Sequence, residues 1–105
     1  MSIFSELSGD EKTVTINIAG RFDFSTHQEF MQAYKAFPRG EMHFVVDLAD
    51  AEYLDSSAMG MLLQLREHST SQADSVVLMN GNEAVRDVLR IANFGKLFTI
   101  HGGGY

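Results

Sequence analysis

Four carboxylates and two hydroxyls crowd the segment 47–57: Asp47, Asp50, Glu52 and Asp55, followed directly by Ser56 and Ser57. Such a set suits three kinds of chemistry, namely capping a helix, holding a divalent cation, or accepting and surrounding a phosphate. The run Asp55-Ser56-Ser57 stands just before an apolar stretch of helical character. Serine oxygens accept backbone N–H groups at a helix start, and Asp55 complements the positive end of the helix dipole. A serine in the first turn also lies near unpaired N–H groups, so a phosphate is accepted there without melting the helix. Such a phosphate adds roughly −1.5 to −2 charge beside Asp55. Capping is the commoner use of these residues, the two roles are compatible, and residue chemistry alone leaves both open.

The cation reading is weaker. No glycine loop able to cradle a phosphate accompanies the carboxylates, and His27, His43, His68 and His101 fall in four different predicted elements without ligand spacing. A magnesium-dependent phosphoryl-transfer enzyme is therefore the less favoured alternative, and no catalytic residue, metal ligand or cofactor is expected.

These residues need a scaffold to hold them. Residues 13–19 alternate, with Val14, Ile16 and Ile18 on one face, which predicts a strand with one wet side. Residues 3–7 are expected to form an earlier strand, turned back through Ser8-Gly9-Asp10-Glu11. Thr26 and Glu29 have capping-box spacing before Phe30, Met31, Tyr34 and Phe37, which predicts a helix ended by Pro38 and Gly40. The apolar runs 44–48 and 76–79 suit strands covered on both faces or buried in a parallel sheet. A helix from about Ser56 to Ser69 joins them as a right-handed crossover. Asn82 is predicted to cap a third helix, residues 97–101 to form a last strand, and 102–105 a loose tail.

In the 56–69 helix, Ala58, Met59, Met61, Leu62, Leu63 and Leu65 cover more than one face. Leu62, Leu63 and Leu65 are expected in the core, with Gln64, Glu67 and His68 facing water. One of Met59 and Met61 is then an exposed partner contact. Gly60, costly in a helix interior, is expected to admit a close neighbour or a partner.

Length and composition set outer limits. A chain of 105 residues, 45% of them hydrophobic, suits one compact domain over 1–105. The absence of a long apolar run and of a basic-then-apolar start argues against membrane insertion and a secretory signal. The absence of cysteine removes any disulfide framework or thiolate site. Cytoplasmic placement is expected. A net charge of −6, with eight Lys and Arg spread along the chain, argues against direct nucleic-acid binding.

Against this background, Asp55-Ser56-Ser57-Ala58-Met59-Gly60 resembles the Asp-Ser-Ser-Gly-Leu-Gly signature of STAS domains, the anti-sigma factor antagonists. Gly20-Arg21-Phe22-Asp23, with Ser25-Thr26 after it, is similar to the family's Gly-Glu-Leu-Asp segment before its first helix. Leu89 to Phe98 resembles the late helix, glycine and closing strand. The resemblance implies a small single-domain α/β STAS fold, with a mixed sheet of about four to five strands and helices mainly on one face. It also implies partner switching. The unphosphorylated antagonist binds an anti-sigma factor, usually a serine kinase with a histidine-kinase-like ATPase fold, and a metal-dependent serine phosphatase reverses the phosphorylation that releases it.

By the same match Ser56 is the phosphorylated residue, Asp23, Asp55 and Ser57 form its neighbourhood, and Ala58, Met59, Gly60 and Met61 are candidate partner contacts. Ala58 stands where the family has glycine, with an expected effect on how closely a kinase loop approaches. The family's C-terminal helix is expected to be short or absent. A STAS accessory subunit of a membrane transporter or larger signalling assembly, with Ser56 a mere cap, is the alternative within the fold.

Overall fold

The computed structural model describes residues 3–72 and 74–102. Its elements follow in the order β1 (Ile3–Leu7), β2 (Thr13–Phe22), a 3-10 turn (Phe24–Thr26), α1 (His27–Lys35), β3 (His43–Leu54), α2 (Ser56–His68), β4 (Val76–Gly81), α3 (Glu83–Ile91), a second 3-10 turn (Phe94–Lys96) and β5 (Thr99–Gly102). Of the predicted loose tail 102–105, Gly102 instead ends β5, paired with Gly81, and 103–105 lie outside the described residues.

The five strands form one sheet in the order β1-β2-β3-β4-β5. Strand β1 is antiparallel to β2, and every later pair is parallel. Each parallel crossover steps one place in the same direction, so right-handed connections bring α1, α2 and α3 to the same face of the sheet. The sheet is mixed and covered by helices on one side, as the family resemblance implies.

Register shows why the strands read as they do. Val14, Phe44 and Val76 align across three strands, as do Ile16, Val46 and Leu78, and all six are buried under the helices. The neighbouring rows Thr15-Val45-Val77-Thr99 and Asn17-Asp47-Met79-His101 lie on the other face, which no described helix covers. The apolar runs 44–48 and 76–79 therefore do not mark strands covered on both faces. They combine one buried row with a half-exposed row of Val45, Val77 and Met79.

An aromatic cluster fills the space between β2, α1 and α2. Phe22 packs on Phe30 at a centroid distance of 5.0 Å, Phe30 on Tyr34 at 5.7 Å, and Tyr34 edge-on to His68 at 5.1 Å. This cluster corrects two expectations for α2. His68 does not face water: it is buried, and its Nε2–H donates to the Phe37 carbonyl at 2.8 Å, which satisfies the ring while it packs on Tyr34 and Phe44. Leu63 is not core but exposed at 36%, because Met61 and Leu62 take the inward positions of that turn.

Candidate functional site

Two long strands carry the site. The alternation Val14, Ile16, Ile18 continues in phase to Phe22, and β3 runs unbroken to Leu54, with register shifts beside Ala19 and Arg21. Such bulges bend a strand and re-aim its end. The acidic segment 47–54 is thus strand rather than loop. Asp47 accepts from Asn80 Nδ2 at 3.2 Å and from the Ala49 N–H at 3.0 Å, while Asp50 and Glu52 are exposed further along. Among the described residues no group of three or more His, Asp or Glu side chains is placed to hold a metal ion.

The pairs Arg21 with Tyr53 and Phe22 with Leu54 close the β2–β3 ladder. Immediately beyond it the chain makes two turns of the same design. Asp23, 19% exposed at its side chain, caps the first 3-10 turn, accepting from the Ser25 N–H at 2.9 Å and from the Ser25 hydroxyl. Asp55 caps α2, accepting from the Ala58 N–H at 2.9 Å and from the Ser57 hydroxyl at 2.7 Å. In both, a carboxylate in extended backbone satisfies a donor that a helix start leaves unpaired. The capping box expected from Thr26 and Glu29 does not form: the Thr26 hydroxyl donates back to the Asp23 carbonyl at 2.8 Å.

The Ser57 hydroxyl, then the Ala58 N–H, hold the Asp55 carboxyl below its ordinary range, while partial burial and the negative charge of Asp23 oppose the shift. The Ser25 hydroxyl lowers Asp23 in the same way, with smaller help from Arg21. The two carboxylates are thus close enough to repel each other. Both pKa values fall on folding, so the stability they add is present above the unfolded value of 3.8 and is lost as pH drops through the lower folded values. Asp55→Asn keeps the cap oxygen and is expected to flatten the acid limb of a stability–pH profile. Asp55→Ala removes the cap and is expected to cost about 1 kcal/mol at neutral pH, read from urea melts.

Ser56 is exposed at the head of α2, and no hydrogen bond of its hydroxyl is found among the described residues. The structure thereby separates the two serines. Ser57 is engaged with the cap, while the Ser56 hydroxyl makes no hydrogen bond among the described residues.

The structure also sorts the candidate contacts on α2. Ala58 is fully buried and Met61 is 4% exposed, so neither is a surface contact of the folded chain, and the alanine in place of glycine faces the core rather than an approaching loop. Met59 is half-buried and Gly60 is exposed. A Cβ placed on Gly60 would meet nothing within 4 Å among the described residues, so no described neighbour accounts for it.

Three features were not read from the sequence. Arg21 Cζ lies 4.4 Å from the centre of the Tyr53 ring, its guanidinium donates to the Tyr53 hydroxyl, and its Nε is 3.5 Å from Asp23 Oδ2. Ser25 is the hydroxyl partner of Asp23. Phe24, beside Asp23, stands 72% exposed and stacks on His27 at 5.6 Å. The unbroken phase from Val14 to Phe22 was the signal for Arg21, because it puts odd-numbered residues on the side opposite the core.

This order of strands, turns and helices is one shared by known proteins. The family model described as "Mlab, STAS domain" matches residues 5–99. The chain belongs to the STAS family. A STAS-domain containing protein of Pseudomonas aeruginosa (strain UCBPP-PA14) is 46% identical over 100 residues, which cover 95% of this chain and 99% of that protein. An anti-sigma factor antagonist from Mycobacterium paratuberculosis is similar in structure, with TM-score 0.72 and 17% identity over 95% of this chain and 86% of that one. The Bacillus cell fate determinant SpoIIAA in its phosphorylated form gives TM-score 0.60 and 20% identity over 93% and 89%. At such identities the solved structures establish the STAS fold shared with anti-sigma factor antagonists, and nothing finer. No described helix of this STAS domain is long and apolar enough to cross a membrane.

Proposed function

We propose that this STAS domain is a cytoplasmic anti-sigma factor antagonist that works by partner switching, with Ser56 as the phosphorylated residue. The observation that carries the reading is the division of labour at α2. Asp55 and Ser57 form a closed cap, and Ser56, next to them in the first helical turn, presents an uncommitted hydroxyl. Unmodified, the surface around Ser56 receives an anti-sigma factor that is itself an ATP-dependent serine kinase. Phosphate on Ser56 adds charge beside Asp23 and Asp55 and repels that partner. A metal-dependent serine phosphatase restores the binding form. The domain is a binding protein in this scheme and takes no cofactor.

Phe24 and Gly60 support the same surface. An exposed aromatic ring next to a capped turn suits a partner's pocket, and a bare glycine lets a partner's backbone come close. Gly60→Ala is expected to raise stability by about 1 kcal/mol, since alanine is the better helix former, while weakening partner binding. Thermal melts and binding titrations on the same variant check both halves.

The direct test uses the chain as bait for the proteins of its own cells. The unmodified chain is expected to retain an ATP-binding partner and to release it when ATP and magnesium are added, with phosphate appearing on the bait. Retention of that partner by fully phosphorylated bait would overturn the reading. Capture of transporter subunits, indifferent to the state of Ser56, would favour the accessory-subunit alternative.

A further inference from the structure

We propose that Arg21 is the counter-charge of the phosphosite, a positioning residue that leaves Asp23 and Tyr53 to pair with a phosphate on Ser56. The inference rests on the reading of Ser56 as the phosphorylated residue and concerns how that phosphate is held.

Strand register puts Arg21 in place. Arg21 pairs with Tyr53, and the next pair, Phe22 with Leu54, is buried, so Arg21 and Tyr53 share the side away from the core. One residue beyond Phe22 and Leu54 stand Asp23 and Asp55, each a cap, and Ser56 follows Asp55 directly. The guanidinium therefore touches Asp23 at the end of β2, next to the strand that leads directly into Asp55 and Ser56.

Its present hold is weak. The contact with Asp23 is a single Nε–Oδ2 pair at 3.5 Å with the arginine side chain 64% exposed, and its other support is the Tyr53 ring and hydroxyl. Exposed ion pairs and exposed cation–π contacts of this kind contribute little. A phosphate on Ser56 carries up to twice the charge of Asp23 and offers three oxygens that a guanidinium grips through two N–H donors at once. The phosphate thus competes successfully for Arg21, and Asp23 gives up a partner it holds loosely.

The charged and titratable groups brought to this end of the sheet are Arg21 and Asp23 from β2 and its turn, His27 at the start of α1, Glu52 and Tyr53 from β3, Asp55 at the cap of α2, and Glu83 and Arg86 on α3. The last helix begins next to β3, because its cap Asn82 donates to the Ala51 and Glu52 carbonyls at 3.3 Å. Arg86 supplies a natural comparison, a second cation carried by the helix that Asn82 caps.

The test is a phosphorus NMR titration of the full chain with phosphoserine installed at position 56 by genetic encoding, so that no kinase is needed. A nearby cation favours the dianion and lowers the second phosphate pKa, which is otherwise about 6. Arg21→Gln is expected to raise that pKa by roughly 0.3–0.7 unit, the scale of one exposed ion pair. Arg21→Lys restores the charge and is expected to recover at least half of the shift, and Arg86→Gln to move the pKa less than Arg21→Gln does. Superimposable curves for wild type and Arg21→Gln, or an equal shift from Arg86→Gln, would overturn the proposal. Far-ultraviolet circular dichroism verifies that each variant is folded. Failure of Ser56 to receive phosphate from a kinase shows separately, as an unmodified mass of the ordinary chain after kinase treatment, and leaves this titration readable.

Discussion

Ser56→Asp is expected to weaken binding of the anti-sigma partner at least tenfold, while Ser56→Ala binds as the unmodified chain does and no longer responds to ATP. Tenfold corresponds to about 1.4 kcal/mol, a modest demand when like charges set against each other across an interface cost several. The new carboxylate joins Asp23 and Asp55, which already repel each other. It carries a single charge where phosphate carries more, so its effect is a lower bound on that of the modification. Alanine removes only a hydroxyl with no hydrogen bond among the described residues, so the fold and the cap of Asp55 to Ala58 stay intact. Isothermal titration of both variants against the captured partner measures the contrast, and equal affinities would contradict the switch.

Phe22→Ala is expected to be the most damaging change to the fold, at about 3–5 kcal/mol. Its ring is fully buried and packs on Phe30, tying the end of β2 to α1, and the residue immediately precedes Asp23. A domain of this size has roughly 5–15 kcal/mol in all, so the variant sits close to unfolding at room temperature. In urea the midpoint is expected to fall with little change in slope, and Phe22→Leu to recover most of the loss. A cost below about 1 kcal/mol would mean that the turn at Asp23 is held by something other than the aromatic cluster.

The two halves of this protein differ in how openly the chain declares them. Strand β2 and the helix starts at Asp55 and Asn82 are legible because one local rule decides each: alternation in the first, side-chain capping in the others. The same holds for Ser56 beside Asp55, since both lie in one turn. The length of β3 was hidden because the shifts beside Ala19 and Arg21 change which residues face the core, from Phe44, Val46 and Leu48 to Ala51 and Leu54. A run that changes phase reads as a loop. With β3 cut short, Tyr53 was out of register with Arg21, and their contact had no local trace.

His68 and Leu63 were misplaced for a related reason. The helical wheel of α2 is apolar nearly all round, and which side turns inward is set by Tyr34 and Phe44, far away in sequence. Burial of a polar ring there depends on one acceptor, the Phe37 carbonyl, that only the folded chain supplies. Of the two methionines, Met61 went inward and Met59 stayed half-buried, while Gly60 and Leu63 came out.

The central claim is that Ser56, and not Ser57, receives the phosphate, because Ser57 is already bound to Asp55. Phosphopeptide mass spectrometry of the chain incubated with ATP and its captured partner kinase, run beside Ser56→Ala, tests this most directly. The expected result is phosphate on Ser56 in the ordinary chain and none in the variant. Phosphate on Ser57 alone, or equal labelling of the two chains, would contradict it.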